Sequence, residues 1–240
     1  MQIGFSTGVL YKTSISPISA EALQRIASLG CSAVELAAMR LERIPQLAQL
    51  SAKDCAPFSY RSIHAPGSME LRNDKPAREL FDSIERAYRR LGLQCVVVHP
   101  HTVQDWSLFK RYSFVLAVEN MDPKKPSGRF VDDLRAVFDQ TDARFVLDLN
   151  HCFAHDPTLK LADELLAAFG NRLQHIHLSG YQKLHEPLHI TRQSEIVAKA
   201  LSLHVPVIIE SELNAPEDLD IEYQYVMAFL PGAGNACKNK

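Results

Sequence analysis

Four residues of types that bind divalent metal ions stand at the ends of short, mostly apolar runs in this chain. They are Glu119, Asp148, His177 and Glu210, separated by 29, 29 and 33 residues. Three carboxylates and one imidazole form an oxygen and nitrogen donor set that suits zinc, manganese, magnesium or cobalt. Each residue alone would be interpreted as a helix cap or an ion-pair member. An uncompensated carboxylate at the end of an apolar strand costs several kcal/mol, however, so the occurrence of all four residues together favours metal binding. Together the four residues predict a divalent-metal site.

The spacing of these residues indicates the elements that must position them. About 30 residues is the length of one strand, one helix and two loops, so the ligands come from one end of successive parallel strands. A ring of such strand ends is the mouth of a barrel. The chain has 240 residues, of which 46% are hydrophobic and 22% charged, and this suits one α/β barrel. We therefore predict a single (β/α)8 TIM-barrel domain over residues 1–240, with 230–240 as a frayed tail.

Hydrophobic periodicity and the positions of proline and glycine give the expected bounds of each element. Strands are predicted at 2–6, 33–36, 59–64, 95–99, 115–119, 145–148, 173–177 and 207–210. Helices are predicted at 16–29, 76–91, 103–112, 130–138, 158–169 and 218–229. Two loops, 120–128 and 180–191, follow ligand-bearing strands and are expected to lie over the barrel mouth.

Further histidines extend the candidate site. His64 and His99 end two earlier strands, where they could hold a second metal ion together with a bridging Glu119 or bind substrate hydroxyl groups. The sequence leaves these two alternatives open. His151 and His185 are weaker substrate-binding candidates, because both are expected in loops, where surface histidines are common.

Other polar residues are expected to have structural roles. Glu35, within the second predicted strand, could face the barrel mouth but is more typical of a solvated or paired structural group. His175 shares a strand face with His177 and is expected to be a buried, hydrogen-bonded core residue. Cys152 is interpreted as a packing thiol. Three other histidines are expected at the surface: His155, His189 and His204.

Composition narrows the class of partner and compartment. The net charge of −2 and a pI near 6.5 provide no broad positive field, which argues against nucleic acid and favours a small molecule. Five cysteines without CxxC spacing suit a reducing cytoplasm. The first residues lack a charged leader with a long apolar run, so neither a signal peptide nor a membrane span is expected. The oligomeric state stays open, a homo-oligomer included.

The chain resembles the xylose isomerase-like TIM barrels over nearly its full length. This superfamily includes sugar isomerases and epimerases and the abasic-site endonucleases of the endonuclease IV type. The motifs that carry the resemblance are Ser6-Thr-Gly, Ile-His64-Ala-Pro, Val-His99-Pro, Val-Glu119-Asn, Leu-Asp148-x-x-His151, His-x-His177-Leu and Ile-Glu210. For an epimerase, the resemblance implies one divalent ion held by Glu119, Asp148, His177 and Glu210. It also implies that His151 lies near the substrate hydroxyls.

The endonuclease IV type implies a three-metal site, which this sequence matches incompletely. His64, His99 and Glu119 match the ligands of the first ion, and the four residues named at the outset match those of the second. The third ion needs two histidines and an aspartate. His151 and His185 are available, but Lys183 stands two residues before His185, where the aspartate is expected. An ammonium group repels a cation, which counts against the trinuclear site.

Two enzymatic hypotheses follow. The first is a metal-dependent isomerase or epimerase of a sugar or sugar phosphate, acting through an enediolate, with Glu119 and Glu210 exchanging the proton. Lys183 or Arg192 would then bind a phosphate. The second is a metal-dependent phosphodiesterase that cleaves abasic-site DNA. A sugar-binding module without activity is a third reading, although an intact ligand set has no evident use there.

Overall fold

Eight parallel strands close into a barrel, in chain order, in the computed structural model of the protein, which describes residues 1–230. Their bounds are β1 Ile3–Ser6, β2 Ala33–Ala37, β3 Tyr60–His64, β4 Cys95–Val98, β5 Leu116–Glu119, β6 Arg144–Asp148, β7 Leu173–Leu178 and β8 Val207–Ile209. The last strand pairs with the first, for example Gly4 with Ile208, and this pairing closes the ring. The predicted (β/α)8 TIM barrel is thus confirmed. The predicted tail lies almost wholly outside the described residues.

Nine α-helices are found over residues 1–230, and most of them cover the outside of the barrel. They are α1 Ala20–Ala27, α2 Ala52–Cys55, α3 Lys75–Leu91, α4 Val131–Phe138, α5 Leu149–His155, α6 Lys160–Phe169, α7 Leu188–Thr191, α8 Ser194–Ser202 and α9 Asp218–Met227. Within this described part of the chain, every helix is too short or too polar to cross a lipid bilayer.

The longest helix, α3, shows how local sequence sets its bounds. Asp74 caps its start by accepting the Ala77 N–H at 3.1 Å, and Pro76 lies in the first turn, where its missing N–H costs nothing. Gly92, at φ 65°, ends the helix in the left-handed conformation that glycine adopts readily. Its buried face consists of Ala77, Leu80, Phe81, Ile84, Ala87 and Leu91.

Two crossovers differ from the α-helix expected of a regular barrel. Between β2 and β3 the chain forms a 3-10 helix at Leu41–Gln49 before the single turn of α2. Between β4 and β5 it forms two 3-10 segments, Pro100–Thr102 and Trp106–Arg111, so the α-helix predicted at 103–112 is wrong in type. A 3-10 helix rises about 2.0 Å per residue against about 1.5 Å for an α-helix, so it crosses a given distance with fewer residues.

Glycine is required where β1 meets β2. A Cβ atom on Gly4 would lie 1.7 Å from the carbonyl oxygen of Ala33, its partner in the register. No side chain fits at that distance, so position 4 admits only glycine with this strand spacing. The register in turn places Ser6 beside Glu35 at the end of the barrel that carries the candidate site.

Candidate metal centre

The structure brings Glu119, Asp148, His177 and Glu210 together at the carboxyl ends of β5 to β8. One ligand atom from each lies within 4.8 Å of the others. His177 Nδ1 is central, at 3.2 Å from Glu119 Oε1 and 3.1 Å from Glu210 Oε2. Glu119, Asp148 and His177 are buried, whereas the Glu210 side chain is 17% exposed.

Two polar atoms of this group are buried without a hydrogen-bond partner among the described residues. They are His177 Nδ1 and Asp148 Oδ2. Buried polar atoms are almost always paired, so two orphans in one cluster of carboxylates indicate a missing positive partner. The residues present therefore fit a divalent cation.

Asp148 is held in place by both its side chain and its backbone. Its Oδ1 accepts the His151 N–H at 2.8 Å and so caps the start of α5, which leaves Oδ2 free to face the cluster. Asn120 donates to the Asp148 carbonyl oxygen at 3.0 Å and accepts the Asp148 N–H at 2.8 Å. Sequence reasoning missed this role of Asn120, although its position directly after Glu119 was the available signal.

A second group of three ligands adjoins the first. Glu119 Oε2 lies 3.0 Å from His64 Nε2 and 3.2 Å from His99 Nε2, and the three residues form a further cluster that could hold a metal ion. Because Oε1 of the same carboxylate faces His177, Glu119 stands between the two groups as a bridging ligand would.

Burial and neighbouring charges have opposite effects on the pKa values of the two histidines of this second group. Burial by itself lowers the pKa of His64, but the hydrogen bond and charge of Glu119 outweigh it and raise that pKa to about 9. At His99 burial dominates and lowers the pKa to about 4. His99 therefore offers a neutral imidazole, the form that binds metal.

The pKa values of the three carboxylates of the four-residue group are shifted in different directions. Burial would raise the pKa of Glu119, but His177, His64 and His99 around it hold that pKa well below its ordinary value. Burial dominates at the other two and raises the pKa of Asp148 to about 6 and that of Glu210 to about 7. A cation between these carboxyls would favour their ionised forms, so protons and a metal ion compete for this group.

Glu119 and Glu210 lie at the floor of a cavity of about 360 Å³, a size typical of small-molecule sites, whereas Asp148 and His177 are not in its lining. The predicted substrate-binding residues all line it: His64, His99, His151, Lys183 and His185. Both predicted mouth loops contribute, through Asp122 and Lys124 of one and Tyr181 and Leu184 of the other. Arg192 is not in the lining, because its guanidinium lies 5.2 Å over the Tyr225 ring.

Comparison with known proteins finds similarity only at the level of structure. No family model and no curated protein matches the chain. A D-tagatose 3-epimerase-like protein matches with a TM-score of 0.71 at 15% identity, covering 98% of each chain. Endonuclease IV from Thermus thermophilus matches with a TM-score of 0.67 at 19% identity, covering 95% of this chain and 98% of that one. D-allulose 3-epimerase from Methylomonas sp. matches with a TM-score of 0.65 at 14% identity, covering 96% and 98%.

These proteins share the barrel fold of this chain. In this barrel the third metal group expected from the endonuclease IV pattern is incomplete. The His151 and His185 rings lie 5.4 Å apart, but His151 Nδ1 lies 2.8 Å from the Asn120 carbonyl oxygen and His185 Nδ1 lies 2.9 Å from Ser179 Oγ. Over residues 1–230 neither histidine belongs to a three-ligand cluster. Lys183 is exposed on the cavity rim.

Several expectations for histidines are corrected. His151 is not in a loop but in the first turn of α5, buried, because Asp148 caps a helix there. His155 and His189 are half-buried, and His189 Nδ1 lies 2.6 Å from the buried carboxylate of Glu222. His185 is in a loop and His204 is exposed, as predicted.

Inside the barrel, Glu35 and His175 lie beneath His177. Both are fully buried, and His175 Nδ1 hydrogen-bonds with the Tyr60 hydroxyl at 2.8 Å, so its prediction as a core histidine is confirmed. Glu35 accepts a hydrogen bond from Ser62 at 2.8 Å. The sequence signal for Glu35 was a carboxylate enclosed by Val34 and Leu36, which required a buried partner.

Proposed function

We propose that this protein is a divalent-metal-dependent isomerase or epimerase of a sugar or sugar phosphate. One observation carries the proposal: the carboxylates of Glu119 and Glu210 both approach His177 Nδ1 and both line the cavity. Two carboxylates open to one small cavity can remove a proton from a bound substrate and return one. The epimerase names of two similar structures support the same reaction class.

The ion would be held by Glu119, Asp148, His177 and Glu210. When bound, a divalent ion supplies a Lewis acid that acidifies the carbon-bound proton beside a carbonyl group. Glu210 would accept that proton, and Glu119 would return one, to the opposite face of the same carbon in an epimerase or to the neighbouring carbon in an isomerase. His64 and His99 either bind a second ion or donate hydrogen bonds to substrate hydroxyls.

The lysines at the cavity rim are compatible with an anionic substrate as well as with a neutral sugar. Lys124, Lys125 and Lys183 line it, and Lys124 Nζ donates to the Lys183 carbonyl oxygen at 3.1 Å, which joins the two mouth loops. A phosphate on the substrate would meet these ammonium groups. The four buried, free cysteines of the described residues support a cytoplasmic enzyme.

A panel assay with metal counting tests the proposal. Protein stripped by a chelator and reloaded with manganese, magnesium, cobalt or zinc is given ketoses, aldoses and their phosphates. We expect metal-dependent epimerisation or isomerisation of at least one of them, with one or two ions per chain. Three ions per chain, with turnover of phosphodiesters and not of sugars, would contradict the proposal.

A metal-dependent phosphodiesterase is the second candidate, favoured by one specific observation. The cluster of His64, His99 and Glu119 adjoins the four-residue group and shares Glu119 with it, so each group would hold one ion of a two-metal site. Two-metal sites of this kind clamp the attacking and leaving oxygens of phosphodiester hydrolysis. The similarity to an endonuclease IV supports this alternative.

A further inference from the structure

The two ring nitrogens of His177 face two different groups. Nδ1 faces Glu119 and Glu210 at the floor of the cavity. Nε2 points into the barrel, where it lies 3.0 Å from His175 Nε2 and 3.2 Å from Glu35 Oε1. We refer to Glu35 and His175 as the lower pair.

Metal binding through Nδ1 fixes where the proton of His177 must be. A neutral imidazole has one proton, so an Nδ1 that gives its lone pair to a cation leaves the proton on Nε2. That proton then needs acceptors inside the barrel. The lower pair lies within reach of Nε2, and Glu35 Oε1 has no hydrogen-bond partner of its own among the described residues.

The hydrogen bonds of His175 are compatible with this arrangement. When its Nδ1 donates to the Tyr60 oxygen, 2.8 Å away, its Nε2 carries a lone pair that can accept from His177. Gln174 Nε2 lies 3.3 Å from the same oxygen, so the Tyr60 oxygen has two donors in reach. With this tautomer of His175, the hydrogen bonds run in one direction, from His177 to His175 to Tyr60.

A second cation held by Glu35, His175 and His177 is the competing interpretation of the same three residues, which form a ligand-type cluster. Two observations favour a hydrogen-bonded group instead. The Ser62 hydroxyl already donates to Glu35 Oε2 at 2.8 Å. In addition, none of Glu35, His175 and His177 lines the cavity, whereas Glu119 and Glu210 do, so the four-residue group is the one that an arriving ion can reach.

We propose that Glu35 and His175 are positioning residues that hold the proton of His177 on Nε2 and so present Nδ1 to the metal ion. The assignment rests on the metal centre of the proposed function. Partners of this kind orient a metal-binding histidine and raise its basicity, and their loss typically weakens metal affinity about 10- to 100-fold.

Zinc affinity, measured by competition with a chelator, provides the first test. We expect Glu35→Gln to weaken zinc binding about 10- to 100-fold. The matched control is Glu222→Gln, which removes another fully buried carboxylate that accepts hydrogen bonds from Leu188 and His189. It should lower the melting temperature without changing zinc affinity. Equal affinities of Glu35→Gln and the wild type would overturn the proposal.

The wild type alone provides the second test, which does not depend on whether a variant folds. In the zinc-loaded protein, ring ¹⁵N shifts of His177, assigned through ring-to-backbone correlations, should show a protonated Nε2 and a metal-bound Nδ1. A protonated Nδ1, or an anomalous zinc peak between Glu35 and His175, would overturn the assignment. Neither test uses sugar turnover, so an inactive sugar panel leaves both readouts intact. A wild type that binds no zinc would overturn the metal centre and this assignment together.

Discussion

Asp148 and His151 are joined by a hydrogen bond from the His151 backbone N–H to Asp148 Oδ1, 2.8 Å long. The two oxygens of this carboxylate therefore have different roles. Oδ1 caps α5, whereas Oδ2, beside His177, has no hydrogen-bond partner among the described residues. The same short motif thus begins a helix and supplies one of the four proposed metal ligands.

Replacing Asp148 should separate these two roles. Asparagine caps helices as well as aspartate does, so Asp148→Asn should keep α5 and the barrel while losing an anionic ligand. We expect metal affinity to fall about 10-fold or more, measured by metal content after dialysis against a weak chelator. Asp156→Asn, at an aspartate that caps the turn before α6 through Thr158, is the control and should leave metal content unchanged. Equal metal content in wild type and Asp148→Asn would remove this residue from the ligand set.

Proton exchange tests the two carboxylates separately. In heavy water the enzyme should place deuterium on the carbon that is epimerised or isomerised, because a carboxylate exchanges its proton with solvent. Glu210→Gln and Glu119→Gln should each lower turnover by at least about 100-fold, the scale of one general acid–base group. Turnover without solvent deuterium in the product would indicate a hydride shift or internal transfer. Loss in Glu210→Gln alone would show that a single carboxylate carries the proton.

Abasic-site duplex DNA distinguishes the two candidate functions. Lys183 is exposed on the rim, where the three-metal pattern requires an aspartate near His185. We expect no appreciable nicking by the wild type with zinc or manganese supplied, and a gain of metal affinity in Lys183→Asp. The control is Lys160→Asp, an equal charge change at an exposed lysine at the start of α6. Efficient metal-dependent nicking by the wild type would make the phosphodiesterase the primary function.

The described cysteines should be inert toward thiol reagents. Burial raises the pKa of Cys31 and of Cys95 to about 12, and it also raises the pKa of Cys55 and Cys152. At pH 8 a thiol of pKa about 12 is a thiolate about one time in ten thousand. In a Cys237→Ser variant, a disulfide reagent should therefore detect four thiols in denaturant and almost none in the native protein. Rapid modification of a native thiol, followed at pH 8, would show that one of these sites opens.

The sequence predicted the barrel and the four-ligand group because both depend on one regular feature. Ligand-type residues at the ends of four successive strands report those strand ends directly, so Glu119, Asp148, His177 and Glu210 could be placed without knowing any helix bound. The crossover at 103–112 could not be predicted in type, since the choice between α and 3-10 geometry depends on the distance to be spanned. The sequence leaves Glu35 as a solvated or a paired group; the structure buries it, and its partners come from β3 and β7, which no local pattern reports. The number of domains over the whole chain stays a prediction.

The contact between Gly4 and Ala33 restricts more than one position. In an open sheet, a strand that acquires a side chain at such a place can slide or splay outward at the edge. Here β1 is hydrogen-bonded to β2 on one side and to β8 on the other. A change in the spacing between β1 and β2 would therefore disturb the other strand pairings of the closed barrel. In a library randomised at position 4 and selected for solubility alone, glycine should therefore be enriched and every other amino acid at that position depleted.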